Sequence, residues 1–318
     1  TLFIGTKHRM EKDIVPKENF RFIGLDVLPL RSIKSVFKMM AATIGTIKLL
    51  KKEKPTKIIA FGNYITIPVL VAAIVLRIPY YLQEQNCTMG QANKYFYKWA
   101  RKVFIAFENT LNHIPEKYKS KFVVTGNPLR EEFYTKDKNE ERKNLEIGED
   151  KKVILVIGGS LGAKSINEAV IKNWEKIISD EKIKLFWGTG KDNFEENTYR
   201  MKNFGNSVVK PYFNNVADIM SASDLVICRA GASTISELIQ LEKPSILIPY
   251  DFVGQKENAD VLEYVNGAKI FTNETADKAV EEAMTLVKQD EMLEFMKENI
   301  RKLKKGNAAD TIIQEMGL

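Results

Sequence analysis

Short apolar runs recur along this chain of 318 residues with little alternation inside them, at 2–5, 21–25, 57–61, 80–83, 103–107, 122–125, 153–157, 185–187, 225–228 and 245–248. Each is too short for a buried helix, and most are separated by segments with helical spacing. That combination predicts parallel strands covered on both faces, an α/β fold. The clearest helix is predicted over 32–54, where Ile33, Val36, Phe37, Met40, Ile44 and Ile47 form a stripe flanked by Lys34, Lys38, Lys48, Lys51 and Lys52. Such a stripe either packs on a sheet or lies on a membrane surface. A second mixed segment, 95–103, sets Tyr95, Phe96 and Trp99 among Lys94, Lys98, Arg101 and Lys102. The most apolar helix, 69–76, is bounded by Pro68 and Arg77 and is too short to cross a bilayer.

The length suits two domains, and 44% apolar residues are enough for ordinary cores. Residues 134–150 are rich in Lys, Glu and Asn with little to bury, and are expected to link a first domain, 1–133, to a second, 151–300. A C-terminal helix over 301–318 is expected to pack back on the first domain. The cysteines Cys87 and Cys228 offer neither a zinc spacing nor a disulfide framework, which points to a reducing, cytosolic setting.

Charge divides unevenly. Residues 1–130 hold 22 Lys and Arg against 8 Asp and Glu, while the remainder holds 26 against 33, so a net +7 conceals a basic first half and an acidic second half. A basic half implies an anionic partner: nucleic acid, a phosphorylated substrate or an acidic membrane surface.

Candidate chemistry sits in two strand-to-helix turns. In CRAGASTISEL, 228–238, a small-residue turn opens a helix whose free N–H groups attract phosphate, and Glu237 follows about one turn inside, placed to accept ribose hydroxyls. In GGSLGA, 158–163, glycines let the backbone approach an anion closely. Downstream, Gln255 and Asn258 are spaced to share one helix face, where amides can meet sugar hydroxyls.

Taken in order, AFGNY, QEQN, TGNPLR, GGSLGA, CRAGASTISEL and QKENA resemble the MurG family over nearly the whole chain. The resemblance implies two Rossmann-like domains facing across a cleft, the GT-B type, here with a first domain that lacks the family's N-terminal strand and Gly-rich loop. It implies inverting transfer of GlcNAc from UDP-GlcNAc to an undecaprenyl-linked muramyl pentapeptide, lipid I, in peptidoglycan synthesis. It also implies a peripheral place on the cytoplasmic face of the cell membrane, with no cofactor and no metal. By the family's pattern Ser160 lies near the diphosphate and Glu237 on the ribose. Phe213 borders the uracil, while Ala232, Ser233, Thr234, Ile235 and Ser236 present backbone donors. Gln255 and Asn258 meet the sugar, and Asn86 and Arg130 reach in from the first domain.

Departures from the pattern matter too. A loop of the GGTGGH kind, whose histidine is the expected general base, has no counterpart in this sequence, and His8 and His113 lie outside the family's motifs. Glu84 is then the remaining acid in a first-half motif, either a proton acceptor or a group that orients its loop. Asn63 stands where glycine is usual, Gln83 where histidine is usual and Leu161 where glutamine is usual. Two rivals are weighed. A UDP-GlcNAc 2-epimerase would share the nucleotide contacts but would not need a basic apolar face. A nucleic-acid binder would account for the charge, yet the basic residues flank aliphatic stripes instead of stacking platforms.

Overall fold

The structure, a computed structural model, describes residues 1–318 apart from Leu30, Ser160, Arg200, Lys202, Phe252, Val253 and the side chain of Asn193. The chain divides into two compact units, Thr1–Thr125 with Gln314–Leu318, and Gly126–Ile313.

The first unit contains two parallel sheets. One pairs β1 (Leu2–Thr6) with β2 (Arg21–Leu25), and the other runs in the order β3 (Ile58–Ala60), β4 (Tyr80–Glu84), β5 (Lys102–Ile105), β6 (Phe122–Val124). Leu82, Val103 and Ile105 from the sheet meet Leu70 and Ala73 of the helix Thr66–Leu76 in its core. The helix Ile33–Glu53 starts where Ser32 and Ser35 cap each other reciprocally, one turn apart, and ends at Lys54 in the left-handed conformation. Its buried residues are Ser35, Met39, Thr46 and Leu50. The predicted apolar stripe therefore points the other way: Ile33, Phe37, Met40 and Ile44 are 78%, 67%, 57% and 57% exposed.

The second unit has one six-stranded parallel sheet in the order β12-β11-β10-β7-β8-β9, where β7 is Lys152–Ile157, β8 Ile183–Gly188, β9 Val208–Lys210, β10 Leu225–Cys228, β11 Ser245–Leu247 and β12 Ala268–Ile270. Ile154, Val156, Leu185, Trp187, Leu225 and Ile227 fill its core from alternate positions of the central strands. Successive strands run outward from β7 to β9, and the order then reverses at β10, which pairs directly with β7. This switch places the turns after β7 and β10 side by side at one edge of the sheet, where open α/β sheets bind ligands.

The boundaries differ from those expected. The first unit ends at Thr125, and the segment expected as a linker folds with the second unit as the helices Glu132–Thr135 and Lys138–Asn144. Charge pairing does what apolar burial could not. Lys136 bridges Glu141 and Asp218 at 3.0 and 2.9 Å, and Asp224 pairs with Lys138 and Arg142 while accepting the N–H of Val153. Phe133 beside this network is 1% exposed. Of the segment expected as one C-terminal helix, residues up to Ile313 fold with the second unit and only Gln314–Leu318 with the first. There Lys57 donates to the carbonyls of Met316 and Gly317, and Lys102 pairs with Glu315. Two short strands, β9 and β12, escape a reading of apolar runs, because VVK and AKI are too brief to stand out.

Candidate functional site

The turn after β10 is set by Gly231, whose extended backbone opens the helix Ala232–Gln240 with no side-chain cap. The N–H of Ile235 bonds the carbonyl of Gly231 at 2.9 Å, so the first turn leaves the N–H groups of Ala232, Ser233 and Thr234 facing outward. Of the five backbone donors expected over Ala232–Ser236, the Ile235 N–H is engaged by Gly231 within the helix, and the Ser236 hydroxyl donates to the Ala232 carbonyl at 3.0 Å.

The neighbouring turn after β7 is shaped by contact with Gly190, which follows β8. A Cβ on Gly190 would lie 2.3 Å from the Gly162 nitrogen, and its φ of +88° is one that side-chain-bearing residues avoid. Ser160, expected at the diphosphate, lies outside the described residues. Leu161 in the same turn is 71% exposed.

Between the two turns lies a slot of about 200 Å³ lined by Arg130, Ile157, Gly159, Tyr212, Phe213 and Glu237, among others. Phe213 is 3% exposed and meets Phe186 edge-on at 6.2 Å, so one edge of a rigid ring forms a wall. Burial pushes the Glu237 carboxyl up to about 7, against the pull of the Arg130 guanidinium and with the neighbouring charge of Glu132 adding to the rise. Arg130 pairs with Glu132 at 2.8 Å and lies over the Phe133 ring at 5.3 Å. It belongs to the second unit, not to the first as expected, because TGNPLR straddles the boundary between Thr125 and Gly126.

Gln255 and Asn258 open the helix Gln255–Tyr264. Both amides are tied to backbone: Gln255 Oε1 accepts from Tyr250 N at 3.1 Å, and Asn258, fully buried, donates from Nδ2 to the Ala230 carbonyl at 3.3 Å. Asn258 thereby braces the turn after β10. Sequence reasoning quoted Arg229 in a motif but gave it no part. It is 7% exposed, lies 4.0 Å above the Tyr250 ring, and donates to Ile248 O, Asn273 Oδ1 and Ser165 Oγ at 2.7, 2.7 and 2.9 Å. A charged residue directly after an all-apolar strand was the available signal. Asn167 was missed likewise; it is buried, accepting from Trp187 Nε1 and donating to the Thr189 carbonyl.

In the first unit Glu84 ends β4 and is 2% exposed. Its carboxylate accepts the N–H groups of Asn86 and Gly90 at 3.1 and 2.8 Å and Nδ2 of Asn93 at 2.9 Å. The loop that carries Asn86 is thus wrapped around one buried acid. In the adjacent turn Asn63 has φ +71°, which explains why asparagine stands in for glycine: it tolerates the left-handed region best among residues with a side chain. His8 is exposed and contacts Asp26 at 3.3 Å.

Among the described residues, no group of three or more His, Cys, Asp or Glu could hold a metal ion, and no helix is long and apolar enough to cross a membrane.

Comparison with known proteins agrees with this geometry. Residues 1–105 match the glycosyltransferase family 28 N-terminal domain, and residues 153–315 match its C-terminal domain. A UDP-N-acetylglucosamine–N-acetylmuramyl-(pentapeptide) pyrophosphoryl-undecaprenol N-acetylglucosamine transferase of Fusobacterium nucleatum subsp. nucleatum is 46% identical over 320 residues, covering 100% of this chain and 89% of that protein. One of the same name from Acetivibrio thermocellus is 34% identical over 329 residues, 98% of this chain and 88% of that one. The crystal structure of Acinetobacter baumannii MurG superposes with a TM-score of 0.78 at 26% identity, over 99% of this chain and 89% of that one. A UDP-GlcNAc 2-epimerase from Neisseria meningitidis, bound to UDP-GlcNAc, shares the fold at 17% identity and a TM-score of 0.67, over 99% of this chain and 90% of that one. The chain belongs to glycosyltransferase family 28 and, within it, to the MurG family of N-acetylglucosaminyltransferases with the GT-B fold.

Proposed function

We propose that this protein transfers GlcNAc from UDP-GlcNAc to undecaprenyl-pyrophosphoryl-MurNAc-pentapeptide, giving lipid II, with inversion at the anomeric carbon. One observation carries the reading: two phosphate-type turns lie on the adjacent parallel strands β7 and β10, at the point where strand order reverses, with Glu237, Arg130 and Phe213 lining the slot between them. The uracil stands against Phe213, and the ribose hydroxyls donate to Glu237. The diphosphate lies at the N–H groups of Ala232, Ser233 and Thr234, where the helix dipole favours negative charge.

An acceptor hydroxyl attacks the anomeric carbon of GlcNAc as its bond to the diphosphate oxygen breaks, the hydroxyl proton passing to a general base and UDP leaving with the electron pair. The charge develops where the three N–H groups and the Arg130 guanidinium are already oriented, so little reorganisation accompanies it. Gln255 and Asn258 border the sugar, with Asn258 holding the turn through Ala230. Glu84 is a positioning residue: its three N–H partners shape the loop that presents Asn86.

The acceptor is carried in a membrane, and the first unit offers a face for one. Ile33, Val36, Phe37, Met40 and Ile44 are exposed along the 33–53 helix, with Lys34, Lys48, Lys51 and Lys52 also exposed. In the same unit a groove of about 500 Å³ gathers Arg77, Arg101 and Lys121 around Ile74 and Trp99, the latter 62% exposed. Exposed Trp beside cations suits the headgroup level of an anionic bilayer. This face supports peripheral binding to the anionic cytoplasmic membrane surface in preference to a nucleic acid.

Incubation with labelled UDP-GlcNAc and lipid I tests the proposal. Labelled lipid II and free UDP are the expected products. UDP-ManNAc formed from UDP-GlcNAc alone would replace transfer by epimerisation.

A further inference from the structure

The donor site proposed above draws its positive groups from two different parts of the chain. The N–H groups belong to the 232–240 helix, whereas the guanidinium hangs from the irregular segment Gly126–Arg130, which has no strand or helix to hold it. A buried side chain joins them. Asn127, 6% exposed, donates from Nδ2 to the Ser236 hydroxyl at 2.9 Å and lies 3.4 Å from the Ala232 carbonyl.

The chemistry of this contact fixes its direction. Ser236 is 8% exposed and its hydroxyl proton goes to the Ala232 carbonyl at 3.0 Å, leaving the oxygen only its capacity to accept. An amide N–H at position 127 satisfies that oxygen. A carboxylate would oppose it with a second acceptor.

The segment that follows is stiff. Pro128 fixes its own φ and biases Asn127 to an extended backbone, so little freedom remains between the clasp and Arg130. Three residues span at most about 10 Å, which bounds how far the Arg130 backbone can lie from the clasp. At the far end the N–H of Phe133 bonds the Arg130 carbonyl, and the buried Phe133 ring lies under the guanidinium.

We infer that Asn127 is a positioning residue that sets Arg130 in register with the first turn of the 232–240 helix, so that guanidinium and N–H groups meet the same diphosphate. The inference rests on the donor site proposed above. Catalysis that depends on fixed charges is sensitive to such register: displacement by about 1 Å can lower turnover by about 100-fold.

A double-mutant cycle reads this directly. Steady-state kinetics at saturating acceptor are measured for Asn127→Ala, Arg130→Ala and the pair, with thermal melts on each. Each single change is expected to lower kcat/KM for UDP-GlcNAc by about 10- to 100-fold, with the double variant no worse than Arg130→Ala, since a mispositioned guanidinium has little left to lose. Asn127→Asp is expected to fail as Ala does. If Asn127→Ala does not fold, Ser236→Ala, which removes only the accepting oxygen, enters the same cycle. Losses that multiply, or an Asn127→Ala enzyme with parental kinetics, overturn the positioning role alone. An Arg130→Ala enzyme with parental kinetics overturns the donor site together with it.

Discussion

Asn93 donates to Glu84 across 2.9 Å of fully buried space, and the two residues lock the helix start at Gly90 onto the end of β4. A carboxylate that accepts three N–H groups is committed to its loop. Glu84→Gln turns one acceptor oxygen into a donor facing donors, so a stability loss of about 1–3 kcal/mol is expected in denaturant melts. Turnover should fall while the pH profile keeps its shape. Loss of the acidic limb of that profile would mark Glu84 as the proton acceptor instead.

The raised carboxyl of Glu237 predicts a pH dependence of donor binding. Ribose hydroxyls donate best to the ionised form, so affinity for UDP-GlcNAc should rise as pH passes upward through about 7, with proton release on binding. Glu237→Gln should flatten this dependence. In the free protein the sign is opposite: the folded state binds the proton more tightly than the unfolded chain, so the group's contribution to stability is present below the ordinary value of 4.5 and is lost as pH rises through about 7. Calorimetry at several pH values measures the first effect and thermal melts the second.

Gly190→Ala should remove donor binding without touching any group that contacts the donor. The new methyl would sit 2.3 Å from the Gly162 nitrogen on a backbone with φ +88°, pushing the 158–163 turn aside. Destabilisation of about 1–3 kcal/mol is expected from the strain, and a loss of UDP affinity in titration from the displaced turn.

For the membrane face, Ile33→Ser with Phe37→Ser should weaken sedimentation with anionic vesicles yet leave the melting temperature unchanged, because both side chains are mostly exposed in the folded protein. Lys34→Gln with Lys48→Gln should weaken it chiefly at low salt. Lys38 is a poorer target, since Asp26 already holds it at 2.8 Å.

Ten of the strand positions and both anion-type turns were legible in the sequence because apolar runs and small-residue turns report local needs, while β9 and β12 were too brief to register. For the 33–53 helix the spacing left packing and an exposed stripe both open, and the charge imbalance favoured the exposed one; Ser35 and Thr46 are buried while Phe37 is exposed. Residues 134–150 were misread. A polar segment looks free until its partners are known, and Asp218 and Asp224 lie far along the chain. Among the candidate site residues, Glu237 was proposed from its motif and Phe213 from the family resemblance alone, whereas Asn127 and Arg229 act through contacts that only the fold creates.

A crystal soaked with UDP-GlcNAc addresses the central claim most directly. The account predicts the diphosphate against the N–H groups of Ala232, Ser233 and Thr234, the ribose on Glu237 and the uracil beside Phe213. Electron density for the nucleotide anywhere other than the β7 and β10 edge of the second unit would contradict it.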